Sequence, residues 1–209
     1  KYKNKIKITG NILRESILNY SKINKDVSLQ KLNILVLGGS QAAKIFAEKL
    51  PDTFIHCKKN NINFKIYQQC LDEQKLNLQK KYESNNIANE LFSFTFDILK
   101  YYRLADLVIT RAGSSALAEF INCKIPIISI PLATSSENHQ FKNAQYFKDK
   151  GYGFMIEEKD IKNKLFDLLH SIHKDRSILK FIEKNQRKHS DENVFEIIKD
   201  EITKIFYEN

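Results

Sequence analysis

Four stretches of this sequence combine glycines, hydroxyls, amides and cations at the ends of apolar runs. In "LGGSQAAK", residues 37–44, two glycines follow a strand-like run, so backbone N–H groups can approach a ligand closely. Ser40 and Gln41 then fall at the start of a helical stretch, where unpaired N–H groups and the positive end of the dipole favour a phosphate. The same residues also read as an ordinary strand–helix turn capped by Ser40. In "TRAGSSALAEF", residues 110–120, Gly113 marks a turn, and Ser114 or Ser115 can cap the helix that follows. Glu119 comes about one turn later, and a carboxylate there can accept two hydrogen bonds from a vicinal diol such as a ribose. A solvated glutamate with Arg111 as a surface cation is the plainer alternative. A nucleophilic serine is disfavoured because G-x-S-x-G is absent.

The third stretch, "PLATSSENHQFKNAQYF" at 131–147, carries His139 and Gln140 at a helix start. Their directed donors and acceptors suit sugar hydroxyls. A polar loop capped by Asn138 would look the same. The fourth, "TGNILRES" at 9–16, puts Arg14 in the first turn of a helix. A cation there opposes the dipole, which a phosphate ligand would explain and which a surface arginine would equally tolerate.

The elements that position these residues are legible as alternating strand-like and helix-like runs. "KIKIT", "NILVL", "NFKIYQQ", "ELFSFTF", "DLVIT", "IPIISI" and "GFMIE" each precede a stretch with helical spacing. Several runs are continuously apolar, as expected when helices cover both faces of a parallel sheet. The pattern predicts an α/β fold, a doubly wound parallel sheet, over residues 1–158. Ligands of such sheets bind at the carboxyl ends of strands, where the glycine-bearing turns lie. Residues 159–209 read as a helical tail packed on the same domain, with Asp175 and Ser190 or Asp191 as helix starts.

Composition narrows the classes. A chain of 209 residues that is 42% hydrophobic can bury a sizeable core. No run approaches the roughly 18 apolar residues of a membrane span, and "KYKNKIKITG" lacks the apolar centre of a signal peptide. The first residue is lysine and the one methionine is Met155, which predicts a longer natural chain. Cys57, Cys70 and Cys123 have no metal-site spacing and read as reduced, buried thiols of a cytosolic protein. The net charge of +9 is spread along the chain, with no dense basic run among aromatics, so nucleic acid is not an expected partner.

Together and in this order, the four stretches resemble the carboxy-terminal, donor-binding half of the MurG family. These are bacterial GT-B glycosyltransferases that add N-acetylglucosamine from UDP-GlcNAc to lipid I, making lipid II for peptidoglycan. The family's G-N-P-V-R turn, G-G-S-Q-G-A loop, "ADLVI.RAG...AE" stretch and H-Q or Q-Q loop with "..NA" read here as "GNILR", "GGSQAA", "ADLVITRAGSSALAE" and "ENHQFKNA". The similarity runs from about Ile8 to Ile156. It implies one Rossmann-like half of a GT-B enzyme with a helical tail. Arg14, Ser40 and Gln41 would lie near the diphosphate, and Phe94 and Thr95 would meet uracil through their backbone. Arg111, Gly113 and Ser114 would border the nucleotide. Glu119 would hold the ribose diol, His139 and Gln140 would address the GlcNAc hydroxyls, and Asn143 would support their loop. Ile12 stands in place of the usual proline and Ala42 in place of the third glycine, where a methyl group could crowd the phosphate approach.

The implied reaction is a single inverting displacement with no metal and no cofactor. The general base and the lipid-binding loops belong to an amino-terminal half outside this sequence, so the chain is expected to bind donor without turnover. The implied place of work is the cytoplasmic face of the bacterial inner membrane, as a peripheral protein. Three other readings keep the same residues: a UDP-GlcNAc 2-epimerase or other UDP-sugar enzyme of this fold, one subunit of a split transferase, or a non-catalytic nucleotide-sugar-binding module.

Overall fold

The computed structural model describes residues 6–20 and 31–207, with the side chains of all of these except 39–43. Six parallel strands form one sheet: β1 (Leu32–Leu37), β2 (Phe64–Gln69), β3 (Ala88–Phe92), β4 (Leu107–Thr110), β5 (Ile127–Ser129) and β6 (Gly153–Met155). Their order across the sheet is β3-β2-β1-β4-β5-β6. The chain winds outward from β1 to β3, then returns to lay β4 on the other side of β1. The crevice between β1 and β4 is therefore the switch point at which such sheets take ligands.

β1 shows why the strands are apolar throughout. Its alternate residues Leu32, Ile34 and Val36 face one layer, and Leu35 faces the other. The first layer is α2 (Gly39–Lys59), α3 (Asp72–Glu83) and α7 (Phe166–Lys174), packed through Phe46, Leu50, Phe54, Tyr82 and Leu169. The second is α1 (Glu15–Leu18), α4 (Ile98–Leu104), α5 (Ser114–Asn122) and α6 (His139–Asp149), packed through Ile17, Tyr101, Phe120 and Ala144. A strand covered on both sides needs apolar residues at every position. α2 continues through Pro51, because Phe54 and Cys57 bury on the far side of that proline. The tail opens with a single π-turn, Ile161–Leu165, and runs through α7, α8 (Ser177–Gln186) and α9 (Val194–Tyr207). Ile161, Leu165, Ile172 and Leu179 join the first layer's core. The Asp175 carboxylate accepts from the Ser177 N–H at 2.9 Å, as expected of a helix start.

Two runs depart from expectation. Residues 6–9 of "KIKIT" form no strand: Ile6 and Ile8 are exposed, and Lys7 pairs with Glu201 of α9 at 3.4 Å. The segment lies along the tail rather than at either sheet edge. "ELFSFTF" leaves the sheet after Phe92, because the Ser93 carbonyl accepts from the Gln69 side chain at 3.3 Å instead of continuing the ladder.

Asp191 pins the amino-terminal segment. Its Oδ1 accepts from the Asn11 N–H at 3.1 Å, and its Oδ2 accepts from Asn122 Nδ2 at 2.8 Å and lies 3.0 Å from His189 Nε2. Gly10 sits beside it at φ +102°, where a Cβ would come within 2.7 Å of the Asp191 carboxylate. That close approach aims the following residues at α5. Burial works to raise the Asp191 pKa, but bonds from His189, Asn122 and Asn11 outweigh it and hold the carboxyl below the usual range. A depressed folded-state pKa makes its contribution full above the unfolded value, roughly 4, and lost as pH falls through the folded value. Asp191→Asn is expected to lower stability by about 1–2 kcal/mol at pH 7. Urea unfolding should show that difference shrinking below about pH 4. A gap that persists undiminished to pH 2.5 would remove the carboxylate's charge from the explanation.

Candidate functional site

A cavity of about 730 Å³ opens at the carboxyl ends of the strands. The ends of β1 to β5 all reach it: Gly38 after β1, Gln69 closing β2, Thr95 after β3, Gly113 after β4 and Thr134 after β5. Its floor is apolar, with Phe92, Ile98 and Phe120 among the contributors. The N-termini of the 21-residue α2 and the nine-residue α5 meet its rim through Gly38 and Gly113, their capping residues. Both helix ends turn uncompensated N–H groups and positive dipole ends toward this space.

Gly113 is informative for what it does not need. Its φ of −68° suits any residue, and a Cβ built there would meet nothing within 4 Å. Neither strain nor packing asks for glycine, so the turn expected from sequence is not the reason for it. A ligand seated on the α5 N-terminus would be such a reason. Ser114 is the first residue inside α5 rather than its cap, and it is exposed. Ser40 and Gln41 lie in the first turn of α2 after the capping Gly38, so Ser40 is not the cap; their side chains, like that of Ala42, fall outside the described residues.

Glu119, about one turn into α5, does not itself line the cavity, nor does Arg14; it lies behind the wall residue Tyr102. Arg14, the residue that caps α1, reaches it across the fold: Nη2 donates to Oε1 at 3.0 Å and to Oε2 at 3.1 Å. Tyr102 donates its hydroxyl to Oε2 at 2.9 Å. Tyr102 is buried and lines the cavity, and burial followed by the Glu119 charge drives its pKa far above the ordinary phenol value. Sequence reading missed this tyrosine. Its signal was an aromatic with a polar tip in an otherwise apolar helix face.

Arg111 is not the surface cation of the plainer reading. It is buried, its Nη1 donates to the Ile130 carbonyl at 3.1 Å and the Pro131 carbonyl at 3.4 Å, and its Nη2 pairs with Glu158 at 2.9 Å. The guanidinium also lies 5.0 Å from the centre of the Phe46 ring. Burial works to raise the Glu158 pKa, yet Lys49 and Arg111 outweigh it and keep the carboxyl low. The Arg111 fork thus ties the end of β4 to the end of β5 and to Glu158, beyond β6, while forming part of the cavity wall.

The loop before α6 bends sharply through Glu137 and Asn138, both at positive φ. Asn138 holds the capping position, but without a side-chain cap bond. Gln140 lines the cavity, and its Oε1 accepts from the Leu132 N–H at 3.0 Å, which orients the amide. Asn143 donates to the Ala112 carbonyl at 3.0 Å and so clamps α6 to the turn that carries Gly113. His139 is exposed and tied back to the Ser136 carbonyl at 2.8 Å, and it does not line the cavity. Phe94 and Thr95 both line it; the Thr95 hydroxyl accepts from the Asp97 N–H at 3.1 Å, and the Phe94 ring packs edge-on against Phe96. Gln69, also missed from sequence, accepts from the Gly38 N–H at 3.3 Å and donates to Ser93, so one amide braces the turns after β1 and β3. Its signal was an amide pair closing an apolar strand. Among the described residues, no three His, Cys, Asp or Glu side chains are grouped to hold a metal.

Residues 33–200 match the glycosyltransferase family 28 C-terminal domain. The chain is 37% identical, over its whole length, to the UDP-N-acetylglucosamine--N-acetylmuramyl-(pentapeptide) pyrophosphoryl-undecaprenol N-acetylglucosamine transferase of Pelagibacter ubique, covering 58% of that protein. It is 34% identical to the protein of the same name from Rickettsia canadensis, over 80% of this chain and 49% of that one. The chain thus spans about half the length of the relatives it matches. Among solved structures, MurG of Acinetobacter baumannii superposes with a TM-score of 0.76 at 27% identity, over 87% of this chain and 55% of that one. Sequence and sheet therefore agree, and the chain belongs to the glycosyltransferase family 28 C-terminal domain family.

Proposed function

We propose that this chain is the donor-binding part of a transferase that moves N-acetylglucosamine from UDP-GlcNAc to lipid I, the undecaprenyl-linked N-acetylmuramyl-pentapeptide. The observation that carries the reading is the convergence of five strand ends on one cavity, with two helix N-termini at its rim and the Glu119 carboxylate hydrogen-bonded to Tyr102 of its wall. Each part suits a piece of the donor. The apolar floor near Phe94 and Thr95 takes the uracil, and Glu119 takes the ribose diol. The α2 start at Ser40 and Gln41, the α5 start at Gly113 and Ser114, and Arg14 take the diphosphate. Gln140, with His139 beside it, addresses the sugar, while Arg111 and Asn143 fix the walls.

In this reading the acceptor's C4 hydroxyl attacks the anomeric carbon from the face opposite the diphosphate, and UDP leaves with inversion. The chain's own contribution is to hold the donor and to stabilise charge on the departing diphosphate through the helix N-termini and Arg14. The base and the acceptor site come from the further half that the longer relatives possess, and the same half supplies the peripheral contact with the cytoplasmic face of the membrane. Among the described residues, no helix is long and apolar enough to cross a membrane. Residues 1–158 bind the donor and residues 159–209 brace them. The transferase names of the relatives support this reading over the epimerase alternative.

Calorimetric titration tests it. UDP and UDP-GlcNAc are expected to bind, with UDP-GalNAc weaker than UDP-GlcNAc by about fivefold if one sugar hydroxyl loses its partner. No turnover of lipid I is expected from this chain alone. Failure of a folded chain to bind either nucleotide, both alone and with the remaining half supplied, would overturn the assignment.

A further inference from the structure

Arg14 and the ribose compete for the same carboxylate. An ionised carboxylate offers about four acceptor directions. At Glu119, Arg14 Nη2 takes one on each oxygen and Tyr102 takes another on Oε2. A vicinal diol needs two. A ribose can therefore be held only if Arg14 gives up at least one of its bonds. Tyr102 is the partner that stays, being buried, whereas the Arg14 side chain is 57% exposed and free to swing.

We infer that Arg14 is a selectivity device: it occupies Glu119 against nucleosides and yields the carboxylate to a nucleoside diphosphate, whose phosphates receive the displaced guanidinium. This rests on the proposed ribose role of Glu119. A nucleoside breaks the ion pair and offers the arginine nothing in return. A nucleoside diphosphate breaks the same pair and supplies a dianionic acceptor that matches the guanidinium better than one shared nitrogen does here. The exchange raises the ratio of the two affinities from both ends, by weakening the wrong ligand as well as by strengthening the right one.

The test uses the full chain and two probes, uridine and UDP, titrated by NMR at low and high salt. In Arg14→Ala, UDP is expected to bind about tenfold more weakly, the size of one charge-assisted hydrogen bond. Uridine is expected to bind about threefold more tightly, since the lost competitor is an exposed and weak ion pair. The preference for UDP over uridine then falls about thirtyfold. In the unaltered chain, added salt should strengthen uridine binding while weakening UDP binding, because it screens the ion pair that blocks the one and the attraction that holds the other. In Arg14→Ala the salt effect on uridine should vanish.

Uridine binding that stays the same or weakens in Arg14→Ala would overturn the inference, leaving Arg14 a phosphate ligand alone. Glu119→Ala separates that failure from failure of the underlying site. If Glu119→Ala weakens both probes, the ribose contact stands and only the competition is wrong. If Glu119→Ala leaves both probes unchanged, the ribose is not on Glu119, and the inference falls with that assignment. Both side chains are solvent-accessible, and an unchanged amide spectrum confirms the fold of each variant.

Discussion

Replacing Glu119 with alanine is expected to weaken UDP binding by about tenfold to thirtyfold. A charge-assisted hydrogen bond to the diol contributes roughly 1.5–3 kcal/mol. Against this stands the Arg14 ion pair, which the unaltered chain breaks on binding and the variant does not. That subtraction is worth at most about 1 kcal/mol for a pair with so exposed a partner. The net loss therefore falls toward the lower part of the range. The Tyr102 hydroxyl loses its acceptor in the variant, but it lies beside the cavity, where water can replace the carboxylate. Calorimetry with UDP and 2′-deoxy-UDP gives the sharper check. Removing the 2′-hydroxyl should weaken binding to the unaltered chain and make little further difference to Glu119→Ala, since the two changes delete one contact. Fully additive losses would place the ribose elsewhere.

Replacing Arg111 with alanine is expected to lower stability by about 2–4 kcal/mol, the largest stability effect anticipated for a residue of the cavity wall. The side chain is buried, and removing it strands the Ile130 and Pro131 carbonyls and takes the guanidinium from the face of Phe46. Glu158 retains Lys49 at 2.7 Å, which keeps the loss below that of a carboxylate left with no partner. Lysine should rescue little, because a single ammonium cannot serve two carbonyls and a carboxylate lying on different sides of a planar fork. Urea unfolding of Arg111→Ala and Arg111→Lys checks this. A loss under about 0.5 kcal/mol in the alanine variant would mean that the ion pair and its bonds contribute no more than a surface contact.

The two variants differ in how far each residue was legible beforehand. Glu119 could be read because its neighbours along the chain supply the signal: a strand, a glycine turn, then a carboxylate one helical turn on. The sheet was legible for a similar reason, since burial on both faces imposes apolar residues at every strand position. The motif placed Arg111 beside the site, where it forms part of the cavity wall, but its partners could not be read. Nothing near it in sequence predicts that Glu158 and the carbonyls after β5 close around it. Tyr102 and Gln69 were missed on the same ground, as their partners lie on other elements. "KIKIT" misled because its alternation is that of a strand, but the place a strand would take is not at the sheet edge. His139 was placed by its position in the motif, and its bond to the Ser136 carbonyl, after two positive-φ residues, was not foreseeable from the sequence.

The strand order has a bearing on how the site comes into being. β2 and β3 join β1 through successive near neighbours in the chain, and β4, β5 and β6 do the same among themselves. Joining the two sets requires β1 to find β4; the backbone of Asn33 meets the carboxylate of Asp106, 73 residues away. Loop closure over that span is the most entropically demanding pairing in the sheet and the slowest to be rewarded by contacts. The cavity straddles this seam, with Gly38 on one bank and Thr110 on the other. Each bank can form by local search, but the site itself exists only once β1 and β4 have paired across that span.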